Sequence, residues 1–190
     1  MLNKIKKSNS EGFTIIEVMI VLAVAALILL IVLLAVPALE RNARNTALKN
    51  DASTVAGGIT TWESDNNGST PSAVFGNGSS DTAPSTIPGV ATYNAGPTVL
   101  ICGTAGANCE NVQVQTTTNV GYETSTTSAP LGAPTFTSGN PSGNQISTGD
   151  ILAIFGAACP NTGTAASSRT TAVYYAEETS GTSIIQCLQV

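Results

Sequence analysis

From Val18 to Leu39 the chain carries no charged residue, and the apolar stretch containing this run opens at Phe13 with Glu17 as its single interruption. Roughly 20 helical residues rising about 1.5 Å each cross a hydrocarbon core of about 30 Å, so the segment is predicted to span a bilayer. Lys4, Lys6 and Lys7 precede the run, and the next basic residues are Arg41 and Arg44. The positive-inside bias then places the N-terminus in the cytoplasm and exports the C-terminal part of the chain. A secretory signal has an apolar region of about 7 to 15 residues ending at a small-x-small site, and this run is longer. A plain signal anchor explains the length, the orientation and the lysines but leaves Glu17 unexplained. A carboxylate one turn into the membrane costs a few kcal/mol and marks a functional site whose partner is a cation at the same depth. The apolar run itself supplies no such cation.

With 190 residues in total, the chain has room for one modest globular domain beside this helix. From Phe13 onward there are four basic residues against eleven acidic ones, and Arg169 is the only basic residue after Lys49. Such a domain lacks the Lys and Arg that neutralise a phosphate backbone, which disfavours direct binding of nucleic acid by the head. Histidine is absent, so triads that need it cannot be built and the commonest zinc ligand is missing. No catalytic, metal-binding or cofactor-binding residues are expected, and the chain does not read as an enzyme. Ser and Thr are abundant, but no Gly-x-Ser-x-Gly turn or neighbouring base activates one.

The residues around Glu17 are specific. A cut between Gly12 and Phe13 would create an α-amino group on Phe13, four residues from Glu17, able to pair with Glu17 of a neighbouring chain. Gly12-Phe13-Thr14-Ile15-Ile16-Glu17, preceded by a short basic leader, resembles the prepilin peptidase site of the type IV pilin and pseudopilin family, G-F-T-x-x-E. The resemblance covers residues 1 to about 65. It implies that Gly12 ends the leader, that Phe13 becomes the N-methylated end, and that Glu17 is the assembly carboxylate. It further implies prepilin peptidase and the pilus assembly machinery of the cytoplasmic membrane as partners. The chain itself becomes the partner in a homopolymeric filament, extracellular once assembled. Many members carry a Gly or Pro near the middle of the apolar helix. This chain departs from that pattern, with Pro37 near the end, where a kink or local melting is expected.

After Pro37, Leu48, Ala52, Val55, Ile59 and Trp62 recur at spacings of 4, 3, 4 and 3, which define one helical face. The helix is predicted to continue into a head domain with this stripe covered by a sheet and Trp62 as a core anchor. Gly57-Gly58 is a weak point, and Asp65-Asn66-Asn67-Gly68 a stop. Residues 64 to 89 read as an extended surface loop. In it Asn67-Gly68-Ser69 and Asn77-Gly78-Ser79 read as turns rather than glycan acceptors. Strands are expected over 90–93, 98–102, 112–117, 120–124, 151–155, 171–176 and 183–190, the last two joined by a turn at Thr179-Ser180-Gly181-Thr182.

The fold class expected is therefore α+β, a long N-terminal helix packed on one apolar face of an antiparallel sheet, as the resemblance also implies. The parts are a leader at 1–12, a transmembrane and assembly helix at 13–39, its amphipathic continuation at 40–65, and a β-rich head at 66–190. Cys102, Cys109, Cys159 and Cys187 all lie in the exported part, which favours two disulfides, with three pairings open. A four-cysteine zinc site is the rival, but the C-x2-C spacing is lacking. A small loop can close between Cys102 and Cys109. Cys159 with Cys187 would resemble the C-terminal disulfide loop of many pilins. Glu177-Glu178 are adjacent strand residues facing opposite ways, and read as solvated hairpin charges. The resemblance and the anchor together leave three functional readings. The first is a pilus subunit serving adhesion, twitching motility or DNA uptake. The others are a pseudopilin of a type II secretion system and a membrane-anchored binding domain that never polymerises.

Overall fold

The computed structural model describes residues 12–76, 94–95, 98–103, 108–115, 119–124, 133–137, 145–159 and 169–190. The basic leader residues, the strand expected at 90–93 and the Asn77-Gly78-Ser79 turn lie outside them. Among the described residues, one long helix, α1 (Ile15–Asp65), is followed by ten strands. These are β1 (Ala73–Gly76), β2 (Asn94–Ala95), β3 (Thr98–Cys102), β4 (Glu110–Gln113), β5 (Asn119–Thr124), β6 (Thr135–Phe136), β7 (Gln145–Ile146), β8 (Ile151–Phe155), β9 (Thr171–Glu178) and β10 (Ser183–Gln189). The chain divides into two compact units, one ending at Glu40 and the other running from Arg41 to Val190.

In the first unit the backbone stays helical through Pro37, so the local melting expected there does not occur. In the second unit the predicted stripe is buried: Leu48, Ala52, Val55, Ile59 and Trp62 all lie in the core. Burying Leu48, Val55 and Ile59 stabilises by about 1.5–3 kcal/mol each, which fixes this part of the helix against the strands. The helix stops where the sequence provides for it. Asn67 and Gly68 adopt positive φ (58° and 73°), and the Gly68 N–H reaches back to the Glu63 carbonyl at 2.7 Å. This six-to-one bond closes a Schellman turn, with Asn67 as the left-handed residue.

Among the described residues the second unit holds three sheets: β1-β3-β4, the larger β10-β9-β8-β5-β2, and the short pair β6-β7. Three features differ from expectation. Strand β1 forms inside the segment read as an extended loop, because Ala73, Val74, Phe75 and Gly76 pair in register with Cys102, Ile101, Leu100 and Val99 of β3. The large sheet is also mixed, not purely antiparallel, since β5 and β8 run parallel. A parallel neighbour needs a long crossover. Part of that connection, at Ile146, lies on the sheet face opposite α1 and joins a second apolar cluster with Leu152, Ile154, Ala172, Tyr174 and Ala176. The sheet therefore has two apolar faces, where one was expected. Accordingly, every residue of β8 is buried.

The two glycines that mark a weak point in the sequence play separate parts. A Cβ on Gly58 would lie 2.7 Å from Ile101 Cδ1 and overlap a Val112 methyl, whereas a Cβ on Gly57 would meet nothing within 4 Å. Strands β3 and β4 thus approach the helix closely at Gly58 and not at Gly57. Gly57→Ala is expected to stabilise by about 0.5–1 kcal/mol through helix propensity. Gly58→Ala, in contrast, should be net destabilising by about 1 kcal/mol through overpacking. Thermal unfolding of the full chain in detergent, followed by the fluorescence of its single tryptophan, reads both; equal effects of the two substitutions would contradict this packing.

Glu63, on the last turns of α1, holds Oε1 buried with no hydrogen-bond partner among the described residues. Burial raises its pKa above the ordinary 4.5. The folded state then holds this proton more tightly than the unfolded chain does. The contribution to stability consequently falls as pH rises from the ordinary value through the raised one. Glu63→Gln should flatten that fall and leave the head more stable than the parent at pH 7, in melts taken between pH 4 and 8.

Candidate functional site at the start of the helix

Gly12, Phe13 and Thr14 precede the first helical residue, Ile15. Thr14 occupies the N-cap and Glu17 the third helical position. The Thr14 hydroxyl oxygen accepts the Glu17 N–H at 3.4 Å. In return, Glu17 Oε2 accepts the Thr14 N–H at 2.9 Å and its hydroxyl proton at 2.7 Å. This reciprocal arrangement is a capping box. It satisfies backbone donors that the first turn would otherwise leave open and sets a negative charge at the positive end of the helix dipole. Within the chain Glu17 is thus hydrogen-bonded through Thr14, while the apolar run offers its charge no cation. The signal is legible as T-x-x-E before an apolar run.

The capping box also fixes where the carboxylate points. Phe13, Glu17, Val18, Val21 and Leu22 line one groove along the helix, so Glu17 and the residue at the expected cleavage point share a face. Phe13 is 90 % exposed, and the large apolar side chains from there to Leu39 are exposed as well. The helix is long and apolar enough to cross a membrane, and none of its apolar window is buried within the chain. A face of this size left in water is unusual for a soluble protein and marks a membrane or protein contact.

In the second unit the remaining sequence candidates are structural. Cys102 bonds to Cys109 and Cys159 to Cys187, with Cα–Cα distances of 4.1 and 5.9 Å, which leaves none of the four as a metal ligand. Beside the first bridge, Trp62 Nε1–H donates to the Asn108 carbonyl at 2.6 Å, so the small loop is tied to the end of α1. Glu178 is not simply a solvated hairpin charge. It accepts from Arg44 at 2.8 Å, while the Asn45 side-chain amide bonds both its N–H (2.9 Å) and its carbonyl (2.8 Å). An exposed ion pair of this kind contributes up to about 1 kcal/mol. The amide pair continues the β-ladder onto the helix. Sequence reading has no means of locating it, because the partners are far apart in the chain.

Residues 7–33 match the family described as the prokaryotic N-terminal methylation motif. No curated protein and no solved structure matches the chain. The matched stretch takes in Gly12, Phe13, Glu17 and the apolar helix to Leu33, and it supports a precursor of the type IV pilin or pseudopilin kind, with a membrane-associated helix processed by a prepilin peptidase.

Proposed function

We propose that this chain is the precursor of a type IV pilus subunit, a structural protein and not an enzyme, that polymerises with copies of itself into a surface filament. The observation carrying this reading is the pairing of two features on one helix: a wholly exposed apolar surface and a carboxylate held beside Phe13 by the capping box.

Hydrolysis of the Gly12–Phe13 peptide bond consumes one water, leaves a carboxylate on Gly12 and frees an amine on Phe13. A neutral amide becomes an ammonium at neutral pH, and methylation of that amine preserves its charge. The new cation is the partner that a carboxylate at this depth requires. Supplied by a neighbouring copy, it allows both charges to enter the apolar filament core together. The capping box keeps Glu17 in one rotamer, so less side-chain freedom is lost when the pair forms. The pilus reading is favoured over a pseudopilin by the long head closed by two disulfides, a construction suited to a displayed surface. Adhesion, twitching motility and DNA uptake are the uses such a filament serves.

Glu17→Ala is expected to preserve membrane insertion and leader removal while abolishing filaments. Thr14→Val, which removes the cap at a cost of about 1 kcal/mol but keeps the carboxylate, should reduce filament yield without abolishing it. Electron microscopy of the sheared surface fraction, with N-terminal peptide mapping of the membrane fraction, reads both steps. Abundant normal filaments from Glu17→Ala would remove the proposed charge pairing.

A further inference from the structure

Strand β10 is an edge of the large sheet, 7 residues long, and its sequence Ser183-Ile184-Ile185-Gln186-Cys187-Leu188-Gln189 contains no charge, proline or glycine. Native edges are normally protected by such residues or by a bulge, and a long apolar edge without them is a template for another strand. The register shows which backbone groups are open. Thr171 and Val190 exchange both of their hydrogen bonds, at 3.0 and 2.8 Å. Antiparallel ladders alternate, so Leu188, Gln186 and Ile184 also direct their N–H and C=O groups to β9, opposite Val173, Tyr175 and Glu177. The groups of Ser183, Ile185, Cys187 and Gln189 therefore point outward, where no strand pairs with them among the described residues.

We propose that this edge pairs with the same edge of a second copy, antiparallel about a two-fold axis at Gln186. Such a pairing places Ile185 opposite Cys187 of the other copy, both with outward-directed groups, and Ser183 opposite Gln189. On the face that carries Leu188 it sets Ile184 against Leu188 and Gln186 against Gln186. The strand is thus self-complementary. Apolar residues meet apolar residues, amide meets amide, and no like charges face each other, which is the condition for favourable cross-strand pairs. Ile184, half exposed in the single chain, gains a partner. A two-fold contact is isologous and closes on itself, whereas a filament repeats a head-to-tail contact. The edge pairing hence joins two chains outside the filament repeat, and it sets the α1 stretches packed on the two sheets in opposite directions, so the paired chains are not neighbours in one membrane.

Gln186→Cys in the full chain tests this. Residues meeting at the axis form a non-hydrogen-bonded pair about 4.5 Å apart at Cα, close enough for a disulfide. Under mild oxidation in detergent, covalent dimer is expected in roughly tenfold excess over a Ser53→Cys control on the exposed face of α1. Adding Ile185→Pro deletes an outward N–H that β9 does not use and should return the dimer to the control level. Gln186→Lys, which sets two like charges together, should abolish dimer captured by an amine-independent cross-linker, with Trp62 fluorescence confirming that the head stays folded. Dimer no greater than the Ser53→Cys control, or unchanged by Ile185→Pro, would overturn the proposal. The Gln186→Cys bridge should also survive Glu17→Ala, which separates its outcome from that of the filament reading.

Discussion

Burial of one helical stripe, Leu48, Ala52, Val55, Ile59 and Trp62, is the interaction on which the head depends. These side chains lie in a common cluster with residues of β1, β3, β5, β8 and β9, so two sheets share one helix as their floor. Gly58 sets a close approach, and the Trp62 indole and the Asn45 amide bond strands or loops near either end of the buried stripe. The disulfides add restraint to a core of modest size, of the order of 2 to 4 kcal/mol each. With the stripe satisfied inside the head, the apolar run before Glu40 is left to find its partners elsewhere.

That division separates two solvents along one helix. From Arg41 the helix is one-sided and covered by its own chain; before Glu40 it is apolar all round and its apolar window is not buried within its own chain. A carboxylate at the start of such a segment would be a defect if it served only to cap the helix, because a less costly cap is available in Thr14 alone. Its place beside the Gly12–Phe13 bond proposed for cleavage makes sense if a charge arrives there after processing. The match to the N-terminal methylation motif supports the same reading.

Much of this is legible in the sequence because it rests on local periodicity. The apolar run, the 3.6-residue stripe and the Asp65 to Gly68 stop each arise from residues close together in the chain, and so do the strands at 98–102, 151–155 and 183–190. The features that escape a sequence reading depend on residues far apart. Strand β1 exists because β3 offers it an edge, and nothing in Ala73 to Gly76 alone announces that. The parallel pairing of β5 with β8 and the second apolar face come from a crossover, although the continuous run Ile151 to Phe155 carries a signal of burial on both sides. The capping box is legible as T-x-x-E before an apolar run, but Thr14 and Glu17 also belong to the processing motif, which accounts for both residues without it.

The most direct test is the mass of the mature N-terminus. Intact-protein mass spectrometry with N-terminal peptide mapping, on material sheared from the surface of the native cell, should find a chain beginning at methylated Phe13. A chain that retains Met1 to Gly12 and is found only in membranes would contradict the account and leave a simple anchored domain in its place.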